Sequence, residues 1–284
     1  MRVLVAGAGG QVGIDLWAAC ASAGDDVVAF DHAGLDITSR DAVLAAVTLI
    51  RPDVVFNAAA WTAVDACEGD PDRALAANGL AVRWLAEACG RSGAHLVHLS
   101  TDYVFDGTLD RPYHEGDHPN PQSVYGSTKL VGEREALALG PGAAVVRTSW
   151  VCGQHGSNMV KTIVRLASER AELTFVDDQI GCPTFTADLA GALRRIALDR
   201  RSGVIHVTNQ SATSWFGFAR EVVSAMGKDP AMVLPIATVD LRPVRPAPRP
   251  ANSVLDNVVL RLGGVPLLRD FRDPLAETVR ALLA

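Results

Sequence analysis

Apolar positions along the first half of the chain alternate between two rhythms. Arg2–Ala6, Val27–Asp31, Asp53–Asn57, His95–Ser100 and Ala143–Thr148 are short, almost continuously apolar runs rich in Val, Leu or Phe. Such runs suit parallel strands buried on both faces. Between them, Val12–Ala23, Arg40–Ile50, Pro71–Arg91 and Ser123–Leu139 carry apolar residues at helical spacing. Strands alternating with helices predict an α/β fold, a Rossmann-type doubly wound parallel sheet with right-handed crossovers. Beyond Trp150 the rhythm breaks down. Helical patterns at Asn158–Arg170, Thr186–Arg200, Trp215–Met226 and Pro274–Leu283 are joined by irregular connections. Residues 1–150 therefore read as a dinucleotide-binding domain. Residues 151–284 read mainly as a smaller mixed α/β substrate-binding domain, with some segments returning to the first. The stretch LRPVRPAPRP, between Pro235 and Pro250, is too rich in proline for a helix or a central strand. It reads as a linker or an extended segment lying over a site.

Composition narrows the partners. With 284 residues, 49% of them hydrophobic, the chain can bury a sizeable core. A net charge of −6 offers no basic surface for nucleic acid. A polyanionic ligand has to be met by backbone donors and a few placed arginines. The five cysteines, Cys20, Cys67, Cys89, Cys152 and Cys182, include no CxxC pair and are odd in number. They read as reduced thiols rather than a disulfide framework. Glycines interrupt the first apolar run before a signal-peptide core forms, and no apolar stretch reaches membrane-spanning length. A cytoplasmic protein with no membrane partner is expected.

The opening VLVAGAGGQVG places Gly7, Gly10 and Gly13 between the first strand and the first helix, with Gln11 and Val12 at the helix start. Glycines there allow a sharp turn and close approach of a pyrophosphate to free N–H groups at the helix N-terminus. Asp31, at the end of the second strand, stands where an acid commonly takes the adenosine ribose hydroxyls; that disfavours a 2′-phosphate and hints at NADH. Its plainer reading is a solvated loop acid. Asp36 either faces the adenine or, with Thr38, caps the helix from Arg40.

Tyr125-Gly-Ser-Thr-Lys129 begins a helix, and a spacing of four sets the phenol and the ammonium on one face. A nearby cation is expected to lower the phenol pKa and make it a better proton donor or acceptor, while the lysine can also hold the nicotinamide ribose. Ser100 and Thr101 leave the fourth strand at its carboxyl end, where open parallel sheets bind ligands. A hydroxyl there can meet a carbonyl oxygen during hydride attack. For Ser100, a structural hydrogen bond at the strand end is an equal reading.

Taken together, the glycine turn, Asn57-Ala-Ala-Ala60, Ser100-Thr-Asp-Tyr-Val-Phe105, Tyr125–Lys129 and Arg147-Thr-Ser-Trp150 resemble the dTDP-4-dehydrorhamnose reductases, members of the extended short-chain dehydrogenase/reductases. The likeness continues through Asp177-Asp-Gln-Ile-Gly181, Pro183-Thr184 and Arg249-Pro-Ala-Asn-Ser253, and so spans nearly the whole chain. It implies reduction of the 4-keto group of dTDP-4-dehydro-L-rhamnose by NADPH or NADH. By the same resemblance Tyr125 supplies the proton, Lys129 tunes it and Thr101 orients the carbonyl. Thr101, Asp102 and Trp150 match sugar-nucleotide contacts. Gly10, Gln11, Val12, Asp31, Asp36, Ile37, Ala60, Trp61, Thr62 and Leu99 match cofactor contacts, Trp61 replacing a histidine frequent in the family. Arg249 is the candidate for the sugar-nucleotide pyrophosphate, because a guanidinium fork matches phosphate oxygens. Some members dimerise around a magnesium ion held by acids. Asp15 matches one such acid, but Ala187 stands where another aligns, which argues against magnesium and leaves a monomer or a different homodimer.

Rival readings are weaker. His114-Glu-Gly-Asp-His118 spells HExxH, but Pro112, Gly116, Pro119 and Pro121 oppose the helix that zinc binding by this motif requires. Dehydratases of the superfamily carry Thr-Asp-Glu where this chain has Tyr103 in third place, so their carboxylate base is missing. A reductase of another 4-keto-6-deoxy sugar is the runner-up, since pocket shape decides substrate. A silent regulatory subunit has no need of Tyr125, Lys129 and Thr101 together.

Overall fold

Val3, Leu4 and Val5 have no solvent exposure, because the strand they form lies inside a sheet covered on both faces. The computed structural model describes residues 1–139 and 142–284. In chain order the first half runs β1 (Arg2–Ala6), α1 (Gln11–Ser22), β2 (Asp26–Phe30), α2 (Arg40–Ile50), β3 (Val54–Asn57), α3 (Val64–Gly69), α4 (Pro71–Leu75), a π-helical turn (Ala76–Leu80), α5 (Ala81–Ser92), β4 (His95–Thr101), α6 (Val124–Leu139) and β5 (Ala144–Thr148). The second half continues with β6 (Val151–Cys152), α7 (Met159–Glu169), β7 (Leu173–Val176), β8 (Ile180–Gly181), β9 (Thr184–Phe185), α8 (Thr186–Leu198), β10 (Gly203–His206), β11 (Thr213–Ser214), α9 (Trp215–Ala225), β12 (Val233–Ile236), α10 (Val258–Leu262) and α11 (Arg272–Leu283).

The main sheet has the order β10-β5-β4-β3-β1-β2, with every pairing parallel. The five apolar runs are five of its strands. The sixth, β10, comes from far beyond Trp150, where the sequence showed only irregular connections. One face of the sheet is filled by α1 and α8, with Leu16, Leu189 and Leu193 against Val3, Val5 and Phe56. The other face takes α2, α5 and α6, with Val43, Val47, Leu85 and Ala136 among the buried residues. Both α8 and β10 thus belong to the core of the first half.

A separate apolar cluster joins α7, α9 and α11 through Ile163, Phe218, Val222, Phe271 and Val279. The parallel pair β7–β12 borders it and contains Pro235, which a two-stranded sheet tolerates because one side of each strand carries no ladder. Residues 241–250 form no regular element. No helix among the described residues is long and apolar enough to cross a membrane. All five cysteines are buried and unpaired.

Candidate active site

The carboxyl ends of β1, β3, β4 and β5 open into two adjoining cavities. The first, about 690 Å³, runs from Gly7 and Gly10 to Asp36, Ile37 and Trp61. The second, about 490 Å³, takes in Gln11, Val12, Thr62 and Leu99, and beyond them Thr101, Asp102, Tyr125, Lys129 and Trp150. Gly10 and Ala58–Ala60 line both, so the two form one continuous cleft.

The glycine turn is fixed by close backbone approach. Gly7 has φ +84°, and a Cβ on it would stand 2.5 Å from the Ala59 nitrogen. A Cβ on Gly13 would stand 2.1 Å from the Gly7 carbonyl, so that residue is pressed against the turn rather than lining the cleft. Phe30 of β2 accepts from the N–H groups of Gly7 and Ala8. Gly10 caps α1 without any side-chain hydrogen bond, which leaves the N–H groups of the first turn facing the cleft. An unfilled helix start beside a cradle that only glycine permits fits a dinucleotide diphosphate. Asp31 follows β2, is exposed, and accepts the Gly34 N–H on Oδ1 at 2.9 Å. It does not line the cleft, whereas its neighbour His32 does. The Asp36 carboxylate accepts both the N–H and the hydroxyl of Thr38 (2.9 and 2.7 Å), closing the turn before α2, and Ser39 caps that helix.

Two asparagines hold the cleft floor. Asn57 Oδ1 accepts the Ala59 N–H at 3.1 Å, and its amide meets His98 Nδ1 at 3.0 Å. The π-helical turn carries Asn78, whose amide clasps both backbone groups of Trp61 (2.8 and 3.0 Å). Such turns recur at functional sites because they re-aim one side chain within a helix.

At the inner end, Tyr125 and Lys129 rise from the first turns of α6. Both are enclosed, at 8% and 3% exposure. Lys129 Nζ donates to the Leu99 carbonyl at 2.6 Å. Burial pushes the lysine pKa down to about 8, with Glu133 opposing. The phenol departs from the sequence-based expectation: its pKa is raised, by burial first and then by the Asp102 charge, while the Thr101 hydroxyl beside it pulls the other way. Desolvation sets the direction and outweighs what would lower it. The phenol is thus a protonated donor at neutral pH. Asp102, 2% exposed, accepts the Thr101 hydroxyl at 2.9 Å and leaves Oδ2 without a hydrogen bond; burial lifts its pKa to about 6. Ser100 borders the second cavity but donates its hydroxyl to Glu133 Oε1 at 2.5 Å, so that hydroxyl serves the structural role.

The wall beyond Tyr125 is aromatic. Trp150, with φ +46°, stacks on Trp215 of α9 at 3.6 Å between centroids and 5° between planes. Gly181 makes room for it, since a Cβ there would stand 2.5 Å from the indole. Trp215 was not singled out from the sequence; neither were His32, Arg73 and Met159, which also line the cleft. No local pattern marks them, because each reaches the site only through packing.

Arg249 departs from its expected place. Its fork holds the Asp65 carboxylate of α3, at 2.5 and 2.8 Å, and it does not line either cavity. An acid 184 positions away has taken the geometry that a phosphate was expected to fill. The pair ties the proline-rich stretch to the first half of the chain. Asp15 lies 3.4 Å from His155 Nε2. The His114–His118 segment forms a turn rather than a helix, with Asp117 accepting the His114 N–H.

A parallel six-stranded sheet, a glycine turn under a helix start and an enclosed Tyr-x-x-x-Lys pair beside a strand-end Thr define an extended short-chain dehydrogenase/reductase. The family described as RmlD substrate binding domain matches residues 1–284. A relative from Streptomyces griseus named dTDP-4-dehydrorhamnose reductase is 44% identical over 99% of this chain and 94% of its own length. The chain belongs to the dTDP-4-dehydrorhamnose reductase family. A Streptomyces antibioticus protein named probable dTDP-4,6-dihydroxy-2-methyloxan-3-one 4-ketoreductase is 43% identical over 100% of this chain and 96% of its own. The crystal structure of dTDP-4-dehydrorhamnose reductase from Bacillus anthracis in complex with NADP superposes with a TM-score of 0.95 at 36% identity, covering 99% of each chain.

Proposed function

We propose that the protein reduces the 4-keto group of dTDP-4-dehydro-L-rhamnose to give dTDP-L-rhamnose for cell-surface polysaccharide synthesis, using NADPH or NADH. The observation that carries this reading is a protonated, enclosed phenol beside the Thr101 hydroxyl, at the point where the dinucleotide cleft meets the aromatic cavity. When bound, the nicotinamide supplies hydride to the carbonyl carbon. Tyr125 Oη gives its proton to the carbonyl oxygen as the C=O becomes a C–O–H. Thr101 holds that oxygen in line by turning its hydroxyl proton from Asp102 to it, and the Lys129 ammonium stabilises the phenolate left behind. Asp102 Oδ2, buried and unpartnered, is placed to take a sugar hydroxyl, and Trp150 packs against the ring. The α1 start (Gly10, Gln11, Val12) holds the cofactor diphosphate, Asp36 and Ile37 border the adenine, and Ala60, Trp61, Thr62 and Leu99 border the rest. Asp31, at the rim beside the cleft-lining His32, keeps one carboxylate oxygen for a ribose hydroxyl. The Asp15–His155 contact and Ala187 favour a monomer or a homodimer without a bridging metal.

The pH profile follows from two shifted groups. Lys129 is cationic below about 8 and loses that charge above it. Asp102 is anionic above about 6 and gains a proton below it. The plot of kcat/KM against pH is therefore expected to be bell-shaped with limbs near these values. Asp102→Asn should remove the acid limb and Lys129→Met the alkaline one. A flat profile would strip both residues of their roles.

A second reading has its own support in the Streptomyces antibioticus relative, which is as similar as those named for rhamnose. Reduction of another dTDP-linked 4-keto-6-deoxy sugar would use the same residues. Incubating the purified protein with dTDP-4-dehydro-L-rhamnose and each cofactor, following nicotinamide oxidation and identifying the sugar formed, decides between them. No turnover with this substrate would overturn the rhamnose reading.

A further inference from the structure

Arg73 projects from α4 onto the indole of Trp61, with its guanidinium carbon 4.4 Å from the ring centroid. Both side chains line the larger cavity, together with the glycine turn and Asp36. Among the described residues no carboxylate lies within 4.0 Å of the Arg73 guanidinium nitrogens. Other arginines around the fold are engaged: Arg40 holds Glu87, Arg147 holds Glu133, Arg194 holds Asp25 and Arg249 holds Asp65. Asp70 takes the Arg73 backbone N–H, not its fork.

A guanidinium laid on an aromatic face keeps its in-plane N–H groups free, in the geometry that suits two phosphate oxygens. The indole beneath it is itself locked, because Asn78 clasps the Trp61 backbone. Arg73 is thus a cation pre-placed at the wall of the cleft. Among the described residues that line it, the only other basic side chain is His32, and Asp36 supplies negative charge to the same cavity.

We propose that Arg73, held by Trp61, recognises phosphate oxygens of the cofactor's adenosine half. This rests on the dinucleotide reading of the cleft and adds a residue that the glycine-turn pattern does not contain. The shared chemistry is a phosphate, with two possible sources: the diphosphate, present in every nicotinamide dinucleotide, and the 2′-phosphate, present only in NADPH.

Calorimetric titration of the intact protein with NADPH, NADH and ADP tests it without turnover. Arg73→Gln is expected to weaken NADPH binding by roughly tenfold or more, the usual scale for a lost charge-assisted hydrogen bond. An equal loss for NADH and ADP places the contact on the diphosphate; a loss confined to NADPH places it on the 2′-phosphate. NADPH affinity should also fall less steeply with added salt in the variant than in the parent protein. Trp61→Ala, which leaves the arginine in place but removes its support, should give a smaller loss in the same direction. Unchanged affinity for all three ligands in an Arg73→Gln protein of unchanged thermal midpoint would overturn the proposal. Failure of the parent protein to bind any of the three would instead overturn the reading of the cleft.

Discussion

Replacing Tyr125 by phenylalanine is expected to lower kcat by roughly 10²- to 10⁴-fold, the range for loss of a positioned general acid, with cofactor affinity nearly unchanged. The ring itself stays. It packs edge-on to Tyr103 with centroids 5.6 Å apart, and phenylalanine keeps that contact. Only the proton donor is lost, and the neighbours do not replace it. The Lys129 ammonium is spent on the Leu99 carbonyl, Thr101 donates to Asp102, and Ser100 donates to Glu133. Because burial keeps the phenol protonated, the parent enzyme has its donor ready at neutral pH. Single-turnover reduction with saturating NADPH isolates the chemical step. A variant that retains the parent rate would mean the proton comes from elsewhere, and the mechanism would fall.

The largest loss of stability is expected from breaking the ion pair behind the site. Arg147 of β5 grips Glu133 of α6 through two hydrogen bonds of 2.8 and 2.6 Å, and both side chains are only 3% exposed. Ser100 of β4 donates to the same carboxylate, and the guanidinium also lies 5.1 Å from the Phe105 ring centroid. Three elements that carry site residues meet at this one carboxylate. Arg147→Ala strands a buried anion, and a loss of about 3–5 kcal/mol is expected. Glu133→Gln strands the cation instead. The double change, Glu133→Gln with Arg147→Met, neutralises both and should recover most of the stability, since a buried pair contributes little net stability over apolar groups of similar volume. Urea unfolding of the single and double variants measures this. Additive losses would show that the pair is not the source. Glu133 also opposes the downward shift of Lys129, so the double variant should bring its alkaline limb to lower pH even where it folds well.

How far the sequence reached can be argued from individual residues. Five strands were legible because strands buried on both faces must be apolar throughout, and the alternation with helices fixed their parallel sense. Tyr125, Lys129 and Thr101 could be placed together from the chain alone. A spacing of four puts the first two on one helical face, and a strand end in a parallel sheet points the third toward any ligand. Gly7, Gly10 and Gly13 were equally plain, since their function is backbone geometry and needs no partner side chain.

Tertiary structure decided the rest. It brought β10 to the sheet edge from beyond residue 200, set Trp215 against Trp150, and laid Arg73 on Trp61. It gave the Arg249 fork to Asp65 and raised the Tyr125 pKa that the nearby lysine was expected to lower. The division has a physical cause. Periodicity and backbone freedom are local and are written in neighbouring residues. The partner of a charge and the solvation of a phenol depend on groups distant in the chain, and only packing brings those together.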